Sequence, residues 1–465
     1  MSNSLAISIF MLAFFASIAF NGFFRNVAKN NNFLIDIPDK SRHFHFRPTP
    51  LTGGLGIFFG IIISGLLLTG LTDARYSVDL NSGIFENTPL NNGSINKNFE
   101  VNDEDFNLSL KQDKKNKNIS VQIDAIGNDS RNQSQTVNIV PIDINKFKVI
   151  LPSGEEKFYL TEGDKIIEIT PDDNLIINTF IPQNTDLKRI NLNNFSISLY
   201  ICALLIMMFM IFDDYYGIKA AYRLSFQSII VLLMIFMTNE SLVNLGNLFG
   251  FGNINLGVFS IPITVFCVVG LMNAYNMIDG LNGICASFAL VPLIFVTFFG
   301  NFSYGLLVPI GAILGFLAYN LGYLGKKRRV FLGDSGSNML GFAVAFICIE
   351  YSQNINHSSY VNPVTTLWLV AIPLVDCVTV LTSRILKGIM PFRPGRDHLH
   401  HKLLNFGIKP KRILVIFILL SFFLAGIGYS IEKFYPNKEY ISFYLFLMIS
   451  IFYYLISKDK LNANV

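Results

Sequence analysis

The chain has 465 residues, of which 51% are apolar and only 15% are charged, and its mean hydropathy is +0.46. Soluble domains average about 25% charged residues, so this composition excludes a disordered chain and an ordinary soluble enzyme. The net charge of +4 combines an acidic segment, residues 73–189 with 13 basic and 19 acidic side chains, with a basic remainder. We therefore expect a polytopic membrane protein that carries an acidic insert and has no nucleic-acid partner.

Eleven apolar stretches approach the length of about 20 residues that a helix needs to cross a bilayer core about 30 Å thick. They are residues 4–24, 51–71, 196–212, 222–238, 257–273, 283–299, 303–320, 337–353, 362–383, 412–430 and 440–456. The first stretch has no basic residue before it, so we expect an uncleaved anchor rather than a signal peptide. The pattern predicts an all-α polytopic membrane protein with about 11 transmembrane helices.

The distribution of basic residues predicts the orientation of these helices. With the N-terminus outside, the segments that face inward hold 21 Lys and Arg residues, counting Arg223 and Arg412 beside them, and the short outer loops hold two. Short cytoplasmic loops are enriched in Lys and Arg. We therefore expect a multi-pass protein of the bacterial inner (cytoplasmic) membrane with its C-terminus in the cytoplasm.

The segment 73–195 has a different texture and divides the chain into three parts. Residues 1–72 carry the first two predicted helices and a basic loop, and residues 196–465 carry the other nine helices. Between them, alternating runs such as 146–151 and 157–161 are separated by turn residues, which is typical of a β-meander. We expect an inserted external β-rich domain that serves as a structural or partner-binding appendage.

Polar clusters lie at the predicted cytoplasmic ends of the helices, where charges favour a site at the membrane surface. The first cluster contains Arg47 and precedes the pair Gly53-Gly54, which would let the backbone approach a ligand or a neighbouring helix. By itself this cluster fits contact with anionic lipid equally well. The second cluster is the adjacent pair Asp213 and Asp214, with Arg223 ten residues further on.

The third cluster places Asn273, Asn276 and Asp279 on one helical face, with Asn282 just beyond them. The fourth is the Gly333-Asp334-Ser335-Gly336 turn at the start of a helix. Carboxylate and amide oxygens are hard ligands that suit Mg²⁺, with Mn²⁺ as an alternative.

The fifth cluster holds Arg396, His398, His400 and His401. No cysteine accompanies these histidines, so we favour hydrogen bonding to phosphate over a zinc site. Carboxylates, amides, histidines and arginines on one membrane face suit a Mg²⁺-dependent phosphoryl transfer to a lipid-borne acceptor.

These five motifs, in this order, resemble those of the polyprenyl-phosphate N-acetylhexosamine-1-phosphate transferases. The resemblance covers residues 36–71 and 196–405, and the His-Leu-His-His order at 398–401 is closest to the WecA-like undecaprenyl-phosphate GlcNAc-1-phosphate transferases. It implies a Mg²⁺-dependent enzyme that transfers GlcNAc-1-phosphate from a UDP-N-acetylhexosamine to undecaprenyl phosphate and releases UMP. It further implies contact with membrane lipid and a homodimer.

The resemblance also assigns roles to residues by motif position. It makes Asp334 and Asn276 the metal ligands and implicates Asp213 and Asp214 in catalysis on the lipid phosphate. His400 and His401 would be catalytic residues at the diphosphate. The expected substrate-binding residues are Arg47, Arg223, Asn273, Asp279, Asn282, Arg396 and His398.

The sequence departs from the family pattern in two places. The usual Asp-Gly-Leu-Asp-Gly motif has Asn282 in place of its second aspartate, which leaves the donor sugar open. Phospho-MurNAc-pentapeptide or another UDP-sugar therefore remains an alternative donor. The long external insert is the second departure. The residues also leave open a covalent phospho-aspartyl route and, as a competing class, a transporter or flippase of a lipid-linked or anionic solute.

Overall fold

A computed structural model describes the chain in two sets of residues. The first set comprises residues 3–36, 47–72, 194–299, 304–353, 360–390, 395, 397–436 and 438–459. The second set consists of eight strands between residues 94 and 180. The structure divides into two compact units, residues 1–74 with 188–465, and residues 75–187. We describe each unit by itself.

The first unit is helical. Its helices are α1 (Asn3–Asn31), α2 (Gly53–Thr72), α3 (Asn194–Tyr216), α4 (Ala220–Thr238), α5 (Ser260–Ile278), α6 (Ile284–Phe299), α7 (Tyr304–Asn320), α8 (Gly333–Gln353), α9 (Pro363–Leu369), α10 (Ala371–Leu386), α11 (Leu399–Asn405), α12 (Pro410–Phe434) and α13 (Glu439–Asp459). Two short strands, β1 (Ile35–Asp36) and β2 (Thr49–Pro50), form an antiparallel pair between α1 and α2.

Six helices in the described part of the chain are long and apolar enough to cross a membrane: α1, α3, α4, α5 with the turn before it, α12 and α13. The helices α9 and α10 pass the same test as one span that bends by 80° at its break. Three shorter apolar helices lie at 53–67, 284–299 and 305–320. A polytopic helical membrane protein is therefore confirmed, while the count of eleven spans stays a prediction.

The main packing core is one cluster of buried apolar side chains contributed by α2 to α10, α12 and α13. The largest fully buried side chains include Trp368, Tyr275 and Phe342. The indole of Trp368 donates to Ser442 Oγ at 2.9 Å, and the Tyr275 hydroxyl donates to the Phe288 carbonyl at 3.3 Å. These hydrogen bonds let amphipathic aromatic rings sit inside an apolar bundle without an unsatisfied polar atom.

Small residues set the closest helix contacts. On α7, Gly311 and Gly315 lie four residues apart, and a Cβ added at either would come within 2.5 Å of a backbone carbonyl oxygen of α1, at Phe10 and Phe14. In a membrane the lipid tails are as apolar as the side chains, so the hydrophobic effect does not drive helices together. Close packing of the backbones at small residues stabilises the contact instead. This contact fixes α1 against α7.

The second unit is one antiparallel sheet of eight strands. They are β3 (Ser94–Val101), β4 (Glu104–Gln112), β5 (Ile119–Ile126), β6 (Gln135–Asp143), β7 (Lys146–Ile150), β8 (Glu156–Glu162), β9 (Lys165–Ile169) and β10 (Leu175–Phe180), paired in sequence order. Neighbouring strands in the chain are neighbours in the sheet, which is the topology of a meander. Strands β7 and β8 coincide with the alternating runs 146–151 and 157–161 of the sequence.

Candidate active site

A cavity of about 310 Å³ opens among α3, α4, α5, α8 and α10. Its walls are formed by Met210, Ala220, Arg223, Leu224, Gln227, Asn273, Asn276, Met277, Asp334, Asn338, Arg384, Gly395 and His398. Residues from four of the five sequence clusters lie in or directly beside this cavity. The structure thus brings distant segments together at one end of the helical unit.

The turn that carries Asp334 is held in place by the segment before α2. The Phe331 amide donates to the Pro50 carbonyl at 2.8 Å, and the Gly53 amide donates back to the Phe331 carbonyl at 2.9 Å. A Cβ added to Gly54 would lie 2.6 Å from the Cα of Gly336. Of the two roles open to the glycine pair, the described structure shows the approach to a neighbouring helix.

The aspartate pair at the end of α3 divides into two environments. Asp213 is buried, accepts from the Ile218 amide at 2.8 Å and is paired with Arg223 Nη1 at 3.2 Å. The same Nη1 lies 3.9 Å from Asp334 Oδ2. Arg223 therefore links the aspartate pair to the Asp334 turn. Asp214 is half-buried, and it lies close enough to Asp334 for the two carboxylates to repel each other.

Asn276 donates from its amide group to the Asp334 carboxylate, and both side chains line the cavity. The same amide group also donates to Ser337 Oγ at 3.2 Å. Asp334 is 45% exposed, so its carboxylate is available to the cavity. Mg²⁺ is typically held by one or two protein oxygens, with substrate phosphates completing its shell. This pair fits such an ion, whereas no cluster of three or more His, Cys, Asp or Glu side chains suits a metal within the described ranges.

A chain of amide hydrogen bonds crosses the cavity wall. Asn338 donates to the Asp334 carbonyl at 2.8 Å, and Gln227 donates to Asn338 Oδ1 at 2.7 Å. Asn273 then donates to Gln227 Oε1 at 2.9 Å. Gln227 and Asn338 are buried, and their bonds tie α4, α5 and α8 together at the depth of the site.

Asp279 and Asn282 follow α5 in a turn that does not reach the cavity wall. Both are half-buried, and Gly283 adopts a positive φ of 81° just after them. Of the third cluster, only Asn273 and Asn276 line the cavity. The single helical face expected from the spacing therefore ends at Ile278, where α5 ends.

The three histidines have separate environments. His398 lines the cavity, and its Nδ1 lies 2.6 Å from Asp376 Oδ2. His400 is fully buried, and Gly280 lies directly against its Nε2. His400 does not line the cavity. Burial, reinforced by His401, lowers the pKa of His400 to about 3. His400 is therefore neutral at physiological pH, and its ring stacks on that of His398 with centroids 5.6 Å apart.

Arg384 is a cavity residue that the sequence analysis did not single out. It is 4% exposed, and its Nε donates to Asp397 Oδ2 at 3.0 Å. Arg384 lies eight residues after Asp376 on α10, so a helical-face argument would have found it. The same reasoning finds Gln227 and Asn338, which follow Arg223 and Asp334 by one helical turn.

One expected substrate-binding residue lies away from the cavity, and another is outside the described residues. Arg47 is exposed beside β2 and does not line the cavity. Arg396 lies outside the described residues, as does most of the loop around it.

Comparison with known proteins identifies the family. Residues 196–352 match the family described as glycosyl transferase family 4. The chain is 36% identical over 264 residues to an undecaprenyl-phosphate alpha-N-acetylglucosaminyl 1-phosphate transferase of Escherichia coli O157:H7, covering 55% of this chain and 71% of that protein.

Proteins of the same name are similar to a comparable degree. The protein from Haemophilus influenzae is 34% identical over 259 residues, which cover 53% of this chain and 71% of that protein. The protein from Yersinia pestis is 33% identical over 259 residues, which cover 54% of this chain and 70% of that protein. The chain therefore belongs to the glycosyl transferase family 4 proteins that include the undecaprenyl-phosphate alpha-N-acetylglucosaminyl 1-phosphate transferases.

Proposed function

We propose that the protein transfers GlcNAc-1-phosphate from UDP-GlcNAc to undecaprenyl phosphate and releases UMP, which starts a lipid-linked cell-envelope polysaccharide. The relatives, which are about a third identical over roughly half of this chain, carry this activity in their names. The observation that carries the proposal is the cavity itself, where Asp334, Asn276, Arg223 and His398 meet from four segments of the chain. Such a set suits two phosphates that must approach each other despite their charges.

The proposed cofactor is Mg²⁺, with Mn²⁺ as an alternative. Asp334 and Asn276 would hold it, because the two side chains contact each other and both line the cavity. The bound ion would reduce the repulsion between the phosphates and stabilise the leaving UMP. Arg223 and Arg384 supply further positive charge at the same cavity wall.

The proposed mechanism is a single in-line displacement. An oxygen of the lipid phosphate attacks the β-phosphorus of the UDP-sugar, and the bond from that phosphorus to the bridging oxygen of UMP breaks. Both carboxylate oxygens of Asp213 are engaged by Ile218 and Arg223, so Asp213 orients Arg223. Asp214 is the carboxylate left to accept the last proton of the acceptor phosphate.

A covalent route through an aspartate is the alternative mechanism. It predicts that a radiolabelled sugar phosphate becomes attached to the protein when UDP-GlcNAc is supplied without lipid. Under the displacement mechanism, no label is retained by a preparation that releases UMP once undecaprenyl phosphate is added. The expected role of His400 and His401 at the diphosphate stays a prediction. His400 is fully buried and does not line the cavity.

The function is tested with purified protein, undecaprenyl phosphate, Mg²⁺ and a panel of UDP-N-acetylhexosamines and UDP-MurNAc-pentapeptide. We expect UMP release with UDP-GlcNAc that needs both the lipid and the metal. Release only with another donor would overturn the assignment of the sugar. Absence of release with every donor, from folded protein, would favour the transporter or flippase class.

Three further features are proposed on the resemblance and the charge pattern. The protein would cross the bacterial inner membrane about eleven times, with its N-terminus outside and the cavity in the cytoplasm. The acidic insert would then lie on the external side as a β-rich domain with a partner of its own. A homodimer rests on the resemblance alone. Labelling single introduced cysteines with a membrane-impermeant reagent from each side would test the orientation.

A further inference from the structure

A buried aspartate on α10 contacts the one histidine that lines the cavity. Asp376 is 3% exposed, and each of its carboxylate oxygens is engaged. Oδ2 lies 2.6 Å from His398 Nδ1. Oδ1 accepts from the Leu399 amide at 3.1 Å and from the Tyr453 hydroxyl at 2.7 Å. Three segments of the chain, α10, the start of α11 and α13, therefore converge on this carboxylate.

The hydrogen-bond roles at Asp376 follow from its partners. The Leu399 amide can only donate, and the Tyr453 hydroxyl donates its proton to the same carboxylate oxygen. Hydrogen-bond donors directed at a buried carboxyl group favour its ionised form. An ionised carboxylate only accepts, so Nδ1 of His398 must carry the proton that lies between them.

This arrangement decides which ring nitrogen faces the substrate. With Nδ1 bound to Asp376, Nε2 is the nitrogen that His398 can present to the cavity it lines. The His400 ring stacks on that of His398 at an interplanar angle of 18°, which limits rotation of the His398 ring. The partner of one ring nitrogen sets the state of the other.

We propose that Asp376 is a positioning residue that acts through His398, keeping Nδ1 protonated so that Nε2 meets a phosphate oxygen or a donor group of the substrate in the cavity. This inference rests on the proposed function only for the effect that it predicts on kcat. Tyr453 supports Asp376 from α13, the last helix of the described chain, which thereby contributes to the site from a distance. The carboxylate also stabilises positive charge on the ring whenever Nε2 takes up a proton.

The first test reads the histidine directly and needs no activity. Full-length protein labelled with ¹⁵N-histidine is studied by NMR in detergent, and the His398 signals are assigned by their loss in His398→Gln. We expect the Nδ1 signal to show a bound proton in the wild type. In Asp376→Asn the amide would donate to Nδ1, so the proton should move to Nε2. A wild-type His398 protonated at Nε2 alone would overturn the proposal.

The second test is a double-mutant cycle on UMP release. Asp376→Asn should lower kcat by about 10-fold or more, as the loss of a partner that orients a working histidine does, while the KM for UDP-GlcNAc changes little. In the His398→Gln background the same substitution should cost nothing further, because its effect passes through the ring. Losses that add in the double variant would show a structural role and overturn the proposal.

Tyr453→Phe is the matched control. It removes one of the two donors to Oδ1 and leaves the contact to His398 intact, so kcat should fall much less than in Asp376→Asn. An equal fall in both variants would contradict the proposal. If no donor supports UMP release in the wild type, the proposed function fails, and the NMR measurement still decides the state of His398.

Discussion

At the scale of single residues, the site depends on a few polar atoms with defined partners. Asp334 is the clearest case, because its carboxylate is exposed to the cavity while its backbone carbonyl anchors Asn338. A substitution that removes the charge and keeps the shape therefore separates chemistry from folding.

Asp334→Asn should reduce UMP release by at least about 100-fold, since a charged ligand of the proposed metal would be lost. The thermal unfolding midpoint should change little, because the backbone hydrogen bond remains. Glu350→Gln near the other end of α8 is the matched control, because it also replaces a carboxylate by an amide, and it should retain activity. The rate is measured at saturating Mg²⁺ with both substrates, and an active Asp334→Asn enzyme would remove Asp334 from the metal site.

His400 makes a prediction about acid stability. Burial lowers its folded-state pKa to about 3, whereas the unfolded chain has a pKa of about 6.5. Between these values the unfolded state binds more protons, so stability is lost as the pH falls below about 6.5, by up to about 1.4 kcal/mol per pH unit.

The variant His400→Leu should flatten this dependence. Thermal unfolding in detergent at pH 7.5, 6.0 and 5.0 would measure the slope for both proteins. An unchanged slope in His400→Leu would show that His400 is not the group that titrates. Because Gly280 leaves no room beside the ring, a larger side chain such as Phe would confound the experiment.

At the scale of elements, the start of α2 controls the start of α8. Gly54 and Gly336 contact through their backbones, and the segment before α2 exchanges hydrogen bonds with Phe331. The aspartate of the site lies two residues before Gly336. Displacement of this crossing therefore moves a proposed metal ligand.

Gly54→Ala should destabilise the protein by about 1–3 kcal/mol, as overpacking of a tight contact does, and should also lower kcat. Gly65→Ala is the matched control on the same helix, because a Cβ added there meets nothing within 4 Å. Alanine favours helix over glycine, so the control should be neutral or slightly stabilised. Equal effects of the two substitutions on activity would contradict the role of the crossing.

At the scale of the whole molecule, the chain consists of a helical unit and a sheet unit that form separate compact bodies. Every residue of the cavity wall belongs to the helical unit. We therefore expect the proposed reaction to need no side chain of the sheet unit.

Replacement of residues 75–187 by a flexible linker of about 20 Gly and Ser residues should leave Mg²⁺-dependent UMP release within about threefold of the wild type. UMP release by the shortened protein in detergent is the measurement, with protein recovery as its control. Loss of activity from a well-folded preparation would show that the insert contributes to the reaction.

The sequence alone determined the class, the family and the polar clusters, because hydrophobic length and motif order are local properties of the chain. It placed Asp334, Asn276, Asn273, Arg223 and His398 among the site residues, and all five line the cavity. The tertiary structure decided which members of each cluster face inward. His400 and His398 are two residues apart, yet His400 is buried against Gly280 and His398 lines the cavity.

The same dependence on three dimensions explains the residues that sequence analysis missed. Gln227, Asn338 and Arg384 share helical faces with Arg223, Asp334 and Asp376, but spacing along one helix does not show which residues of other helices they contact. The contacts of Asp376 with His398 and Tyr453 join segments up to 77 residues apart. Burial and hydrogen bonding between distant helices cannot be read from local order, so only the packed structure shows which polar groups share one cavity.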